Sequence, residues 1–160
     1  MDKTIRGADK VVCPKIIPPN TSAMSNTLVV VRESKYTRYK FIPSPITGSS
    51  ANGQILTDNP EQPDPNVSLS AYRTFSDNVC TDQMGTDSPN LAFQVLTDTD
   101  LQTGVSVESA VENGFFTRVQ QSGFKDTVTV AFKLAPAIQA SSAVAGQIDA
   151  VDFKTTVQLR

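Results

Sequence analysis

The chain has two cysteines, Cys13 and Cys80, and no histidine. Without histidine, the commonest general base and the commonest zinc ligand are both missing. Ser-His-Asp and Cys-His nucleophile arrangements are therefore ruled out. No glycine-rich phosphate loop occurs, and no catalytic residue, metal ligand or cofactor is expected. Two cysteines are too few for a metal site without histidine partners, and one bridge is the simplest use of an even count. A Cys13–Cys80 bridge would close a loop of roughly 67 residues, worth about 4 kcal/mol in the chain-entropy description. In a reducing compartment the same residues read as two buried thiols.

Two other sets of residues could carry chemistry. Asp77, Asp82, Asp87, Asp98 and Asp100 form an acidic stretch, and clustered carboxylates hold hard cations such as calcium. Their spacing does not match an EF-hand loop, so solvated turns are the expectation. Arg32, Lys35, Arg38 and Lys40 interleave with Tyr36 and Tyr39. A basic, aromatic sheet surface binds RNA through phosphate contacts and base stacking; the plainer reading is a charged, aggregation-resistant strand face. Tyr36, Tyr39 and Tyr72 could also act as sugar-stacking platforms, although the chain has no Trp. Asn20-Thr21-Ser22 and Asn66-Val67-Ser68 match the glycosylation pattern, which arises often by chance in a Ser/Thr-rich chain.

The elements that would position these residues are strands. The length, 160 residues, fits one domain spanning 1–160 with one modest core of Val, Ile, Leu, Ala and the eight Phe. The 14 basic and 16 acidic side chains nearly balance, which argues against binding nucleic acid over the whole surface. No apolar run is long enough for a membrane span, and the polar start DKTIRGADK does not read as a signal peptide. Strand patterns cover 28–31, 36–42, 67–75, 91–96, 127–134 and 148–159, separated by Pro, Gly, Asn, Asp and Ser. Such spacing predicts an all-β antiparallel sandwich or barrel. Residues 47–66 read as a long irregular loop, since Pro60, Pro63 and Pro65 oppose a central strand. Residues 106–120 read either as a helix with Val107, Ala110, Val111, Phe115 and Val119 on one face, or as a strand pair turning at Asn113-Gly114.

Three segments carry a family resemblance: AYRTFSDNVC at 71–80, LAFQVLTDTDL at 91–101, and 127–159, which runs TVTVAFKLAP, then ASSAVAG, then a closing FKTTVQL. In order and spacing they resemble the C-terminal half of chaperone-usher fimbrial pilins of the type 1 kind. The resemblance implies an immunoglobulin-like antiparallel β-sandwich that is incomplete and is completed by a strand from a neighbouring subunit. It implies a homopolymeric fibre outside the cell, built with an assembly chaperone and an usher. Residues 1–12 would then be the N-terminal donor strand, with Ile5, Gly7 and Val11 on one side and Asp9 falling on that side too. Phe153, Val157 and Leu159 would line the acceptor groove.

The alternative is a viral or phage coat protein in a virion. TLVVVRESKYTRYKFIPSP at 27–45 resembles the two-strand, RNA-facing hairpin of single-stranded RNA phage coats, with Arg32, Lys35, Arg38 and Lys40 toward RNA. Those coats end in a helix pair, whereas this chain ends in strands. In both readings the work is done by contacts between identical subunits.

Overall fold

The computed structural model describes residues 1–33, 35–42, 51–58, 94–110, 114–141, 145 and 149–159; for residues 35, 36 and 58 only the backbone is described. The fold is all-β, as the strand patterning predicts. Two antiparallel sheets enclose one core, with a single short helix, α1 (Asp2–Arg6), among the described elements.

Sheet A has the order β1-β3-β4-β5-β6, formed by β1 (Lys10–Cys13), β3 (Thr27–Arg32), β4 (Lys35–Ile42), β5 (Gln54–Asp58) and β6 (Gln94–Val95). The β3–β4 hairpin pairs Leu28 with Tyr39 and Val30 with Thr37. Leu28, Val30, Tyr39, Phe41 and Ile55 face the core. Thr27, Val29, Val31 and Leu56 are buried too, so the sheet is covered on both faces. A strand buried on both faces needs no period-two alternation, which is why TLVVVR reads as a continuous apolar run.

Sheet B has the order β10-β9-β8-β2, formed by β2 (Ser22–Ser25), β8 (Phe116–Val119), β9 (Thr127–Pro136) and β10 (Val151–Gln158); β7 (Val105–Ser109) also pairs with β9. On β9, Val128 and Val130 face the core, while Phe132 and Leu134 pack against it. One edge of β9 carries β10 along 127–134. The other carries β8 along 127–130 and β7 along 132–136.

Two expectations are corrected here. Among the described residues, 105–109 and 116–119 are strands and not a helix, and the two run in the same direction rather than pairing with each other as a hairpin. β7 and β8 lie end to end along the same edge of β9, interrupted near Gly114, with Phe115 turned into the core. Val107 and Phe115, two of the residues on the expected helical face, are both buried, but they match a helical spacing by accident, because the interruption shifts the strand phase. Of the expected irregular loop 47–66, residues 47–50 and 59–66 lie outside the described residues, and the described part contains β5, an interior strand of sheet A. Ile55 and Leu56 are both buried, one on each face, and they precede the prolines that would forbid a strand.

Two polar clamps tie the sheets together. Asn52 is buried; its amide nitrogen donates to the Asp100 carbonyl (2.8 Å) and its oxygen accepts from the Ile138 amide (2.8 Å). The Gly53 amide donates to Ser106 Oγ (3.0 Å), and the Val107 amide donates to the Gly53 carbonyl (3.0 Å). Elsewhere, Arg118 pairs with Asp126 (2.7 Å) and donates from Nη1 to the Pro14 carbonyl (3.1 Å). Both side chains of this pair are nearly buried, which makes the guanidinium a fixed strut rather than a surface charge.

Candidate assembly edge

β10 reads VDFKTTVQ and pairs with β9 without a bulge, from Val151 opposite Leu134 to Gln158 opposite Thr127. Val151, Phe153, Thr155 and Val157 alternate toward the inner face; Asp152, Lys154, Thr156 and Gln158 toward the outer one. Among the described residues β10 is an outermost strand. Its length, regularity and lack of proline leave it with few of the usual protections of an edge, apart from two charges and the adjoining α1. Val151 and Phe153 are 58% and 48% exposed.

The expected groove residues split along this strand. Val157 is buried in the core, as is Leu159 just beyond the strand, whose amide donates to the Asp126 carbonyl (3.0 Å). Phe153 sits at the open end of an aromatic column. Phe41 of sheet A stacks on Phe115 (centroids 4.6 Å apart), Phe115 on Phe132 (5.2 Å), and Phe132 on Phe153 (4.8 Å). Each offset-stacked pair contributes about 0.5–1.5 kcal/mol beyond burial. The column therefore runs from the interior to a half-exposed ring at the edge of sheet B.

The outer face carries a row of alternating charge. Glu108 on β7 is in register with Lys133 on β9, and Lys133 Nζ lies 3.9 Å from Glu108 Oε2. Lys133 is in register with Asp152 on β10. The row thus ends on a carboxylate at the open edge. Two layers along, the Thr129 and Thr156 hydroxyls are 2.9 Å apart and bridge the same two strands.

The expected donor segment lies elsewhere. Ile5 is in α1 and fully buried; Val11 is in β1, opposite Val30; both belong to the chain's own core. Gly7 ends α1, and a Cβ there would sit 3.2 Å from Arg32 Nη1. Asp9, the polar residue in this pattern, takes a structural role: its carboxylate accepts the Glu33 amide (2.7 Å), while its own amide donates to the Val31 carbonyl (2.7 Å). In the single chain, residues 1–12 form a helical turn and a strand of sheet A rather than an extended arm, because Ile5, Ala8 and Val11 gain more from the core than from solvent.

The four basic residues do not share one open face. Arg32 is exposed at the end of the β3–β4 hairpin, 3.6 Å from Glu33, and is in register with Lys35. Arg38 is 1% exposed, in register with Val29 on one side and Asp58 on the other. Lys40 is half-buried between Thr27 and Leu56. By strand alternation, Arg38 and Lys40 lie on the face opposite Leu28, Val30 and Arg32. Tyr39 is buried, and its hydroxyl donates to Thr4 Oγ1 (3.2 Å), so it offers no stacking platform.

Cys13 is fully buried on β1, and there is no free cysteine among the described residues. Cys80, Tyr72, Asp77, Asp82 and Asp87 lie outside the described residues. Asp98 and Asp100 close a turn: Asp98 accepts the Asp100 amide (3.0 Å), and Asp100 accepts the amides of Gln102 (2.8 Å) and Thr103 (2.7 Å). The Thr103 amide, then the Gln102 amide, hold the Asp100 carboxyl below its ordinary value. Among the described residues no group of three potential metal-binding side chains converges, and no helix is long and apolar enough to cross a membrane.

No family model, curated protein or solved structure matches the chain. Its chemistry must be argued from its own geometry. The row of charge and the exposed end of the aromatic column went unseen in the sequence because both depend on which strands are neighbours. The alternation of Asp152, Phe153 and Lys154 was the available signal.

Proposed function

We propose that the protein is a non-enzymatic structural subunit that works by assembling with copies of itself, joining sheet to sheet along β10. The observation that carries this reading is the regular, eight-residue outer strand with exposed Val151 and Phe153. Its outward amides and carbonyls are a template for another strand, and strand addition is a common way to satisfy such an edge.

The first form of this reading is an extracellular fimbrial fibre. The sandwich is then immunoglobulin-like and incomplete, Cys13 and Cys80 are bridged, and a chaperone and an usher deliver the subunit. Because residues 1–12 serve their own core, the strand added beside β10 comes from another part of the neighbouring subunit. The second form is a virion coat, favoured by the same observation that the N-terminal segment belongs to its own fold. Subunits then meet as complete units, and Arg32 is the exposed basic residue nearest to serving an RNA contact.

Negative-stain electron microscopy of the purified chain, with an absorbance ratio for nucleic acid on the same sample, tests the reading. Thin fibres free of nucleic acid support the fimbrial form. Closed shells carrying RNA support the coat form. Isolated 17.2 kDa particles at every concentration overturn self-assembly itself.

A further inference from the structure

We infer that β10 pairs with β10 of a second copy, antiparallel and about a two-fold axis through Phe153, to make one continuous sheet. The inference rests on the assembly reading and names the partner strand. A two-fold contact applies the same patch twice, so its register is constrained. In a continuous sheet, facing residues share a face. The axis must therefore pass through a residue position, not between two.

Few positions are available. An axis at Asp152 sets its carboxylate against that of the second copy, and an axis at Lys154 opposes two ammonium groups. Like charges directly opposite are destabilising. An axis at Thr155 places Asp152 opposite Gln158 and Lys154 opposite Thr156, leaving both charges without a complement. An axis at Phe153 places Asp152 opposite Lys154 of the second copy, and Lys154 opposite its Asp152. Both ion pairs form at once on the outer face.

The inner face selects the same register. Phe153 then meets Phe153 of the second copy, and the two aromatic columns, each Phe41–Phe115–Phe132–Phe153, join at their half-exposed ends. Val151 faces Thr155. The outer row of charge continues without a break: Glu108, Lys133, Asp152, then Lys154 of the second copy. The N-terminal segment is not the occupant, because Ile5, Ala8 and Val11 are already buried in their own chain. An isologous contact closes on two copies. The dimer is therefore the unit from which a larger particle is built through other surfaces.

The test uses two single reversals of the full chain, Asp152→Lys and Lys154→Asp, in sedimentation velocity. Each alone opposes two pairs of like charges, so each should raise the dimer dissociation constant by about tenfold or more. Mixed in equal amounts, they restore two opposite pairs, and a heterodimer near wild-type affinity is expected. Circular dichroism checks that both variants fold. Independently, Phe153→Cys should give a disulfide-linked dimer on oxidation, because a residue on the axis faces itself within bridging distance. Val151→Cys should not, since its copies lie about 13 Å apart along the strand. Assembly that ignores both reversals, or cross-linking at 151 rather than 153, overturns this pairing and leaves self-assembly standing. A wild-type chain that stays monomeric overturns both.

Discussion

Truncating Ile5 to alanine distinguishes a segment that belongs to its own fold from one held in reserve for a neighbour. Ile5 is fully buried in α1 and shares the core with Val157 and Leu159. Removing a buried isoleucine beyond Cβ costs its transfer free energy plus the cavity, together about 2–5 kcal/mol. Single domains have about 5–15 kcal/mol in total, so Ile5→Ala should consume a large share of the stability of the monomer. With a urea slope of about 2 kcal/mol/M, a loss of about 3 kcal/mol moves the midpoint down by about 1.5 M. The assay is equilibrium urea unfolding of the dilute chain, where association does not contribute. A donor arm leaves the monomer unaffected when it is truncated. A midpoint shift below about 0.3 M would refute the placement of Ile5 in the core and restore the donor role for residues 1–12.

Further outcomes follow from the clamps and turns. Asp126→Ala leaves the nearly buried Arg118 guanidinium without its carboxylate and should cost about 3 kcal/mol in thermal or urea unfolding. Gly104→Ala should destabilise by about 1–3 kcal/mol, because its Cβ would fall 2.5 Å from the Asp100 carbonyl oxygen, a backbone atom unable to move aside cheaply. The folded-state pKa of Asp100 is lowered by the Thr103 and Gln102 amides. Its contribution is therefore present above its unfolded value of about 3.9 and is lost as pH falls through the lowered folded value. Asp100→Asn should accordingly flatten the dependence of stability on pH below about 4, measured by urea midpoints across an acid series.

How much of this was legible depended on whether a residue's role is local. The β3–β4 hairpin, β9 and β10 carry long apolar runs or period-two alternation, and their positions follow from it. Val157 and Leu159 were readable as apolar partners of a sheet face for the same reason. β5 was hidden because its apolar content is only Ile55-Leu56, set beside a proline-rich stretch. β7 and β8 imitate a helix because the interruption before Phe116 shifts the phase of one long edge. The N-terminal segment shows alternation good enough for a strand donor, but whether Ile5 enters its own core or a neighbour's is a question of tertiary distance. Arg38 looked like part of an exposed basic set, and only the covering of both faces of sheet A removes it. The assembly edge is the extreme case. Glu108, Lys133 and Asp152 are far apart in the chain and become a row only through the strand order β7-β9-β10.

The most direct measurement is hydrogen–deuterium exchange of the full chain, followed across a dilution series and resolved to peptides covering 151–158. Joining copies at β10 predicts that the outward amides of this strand gain protection as concentration rises, while β3 and β9, interior to their sheets, hardly change. Exchange at 151–158 that is the same at every concentration would contradict assembly through this edge.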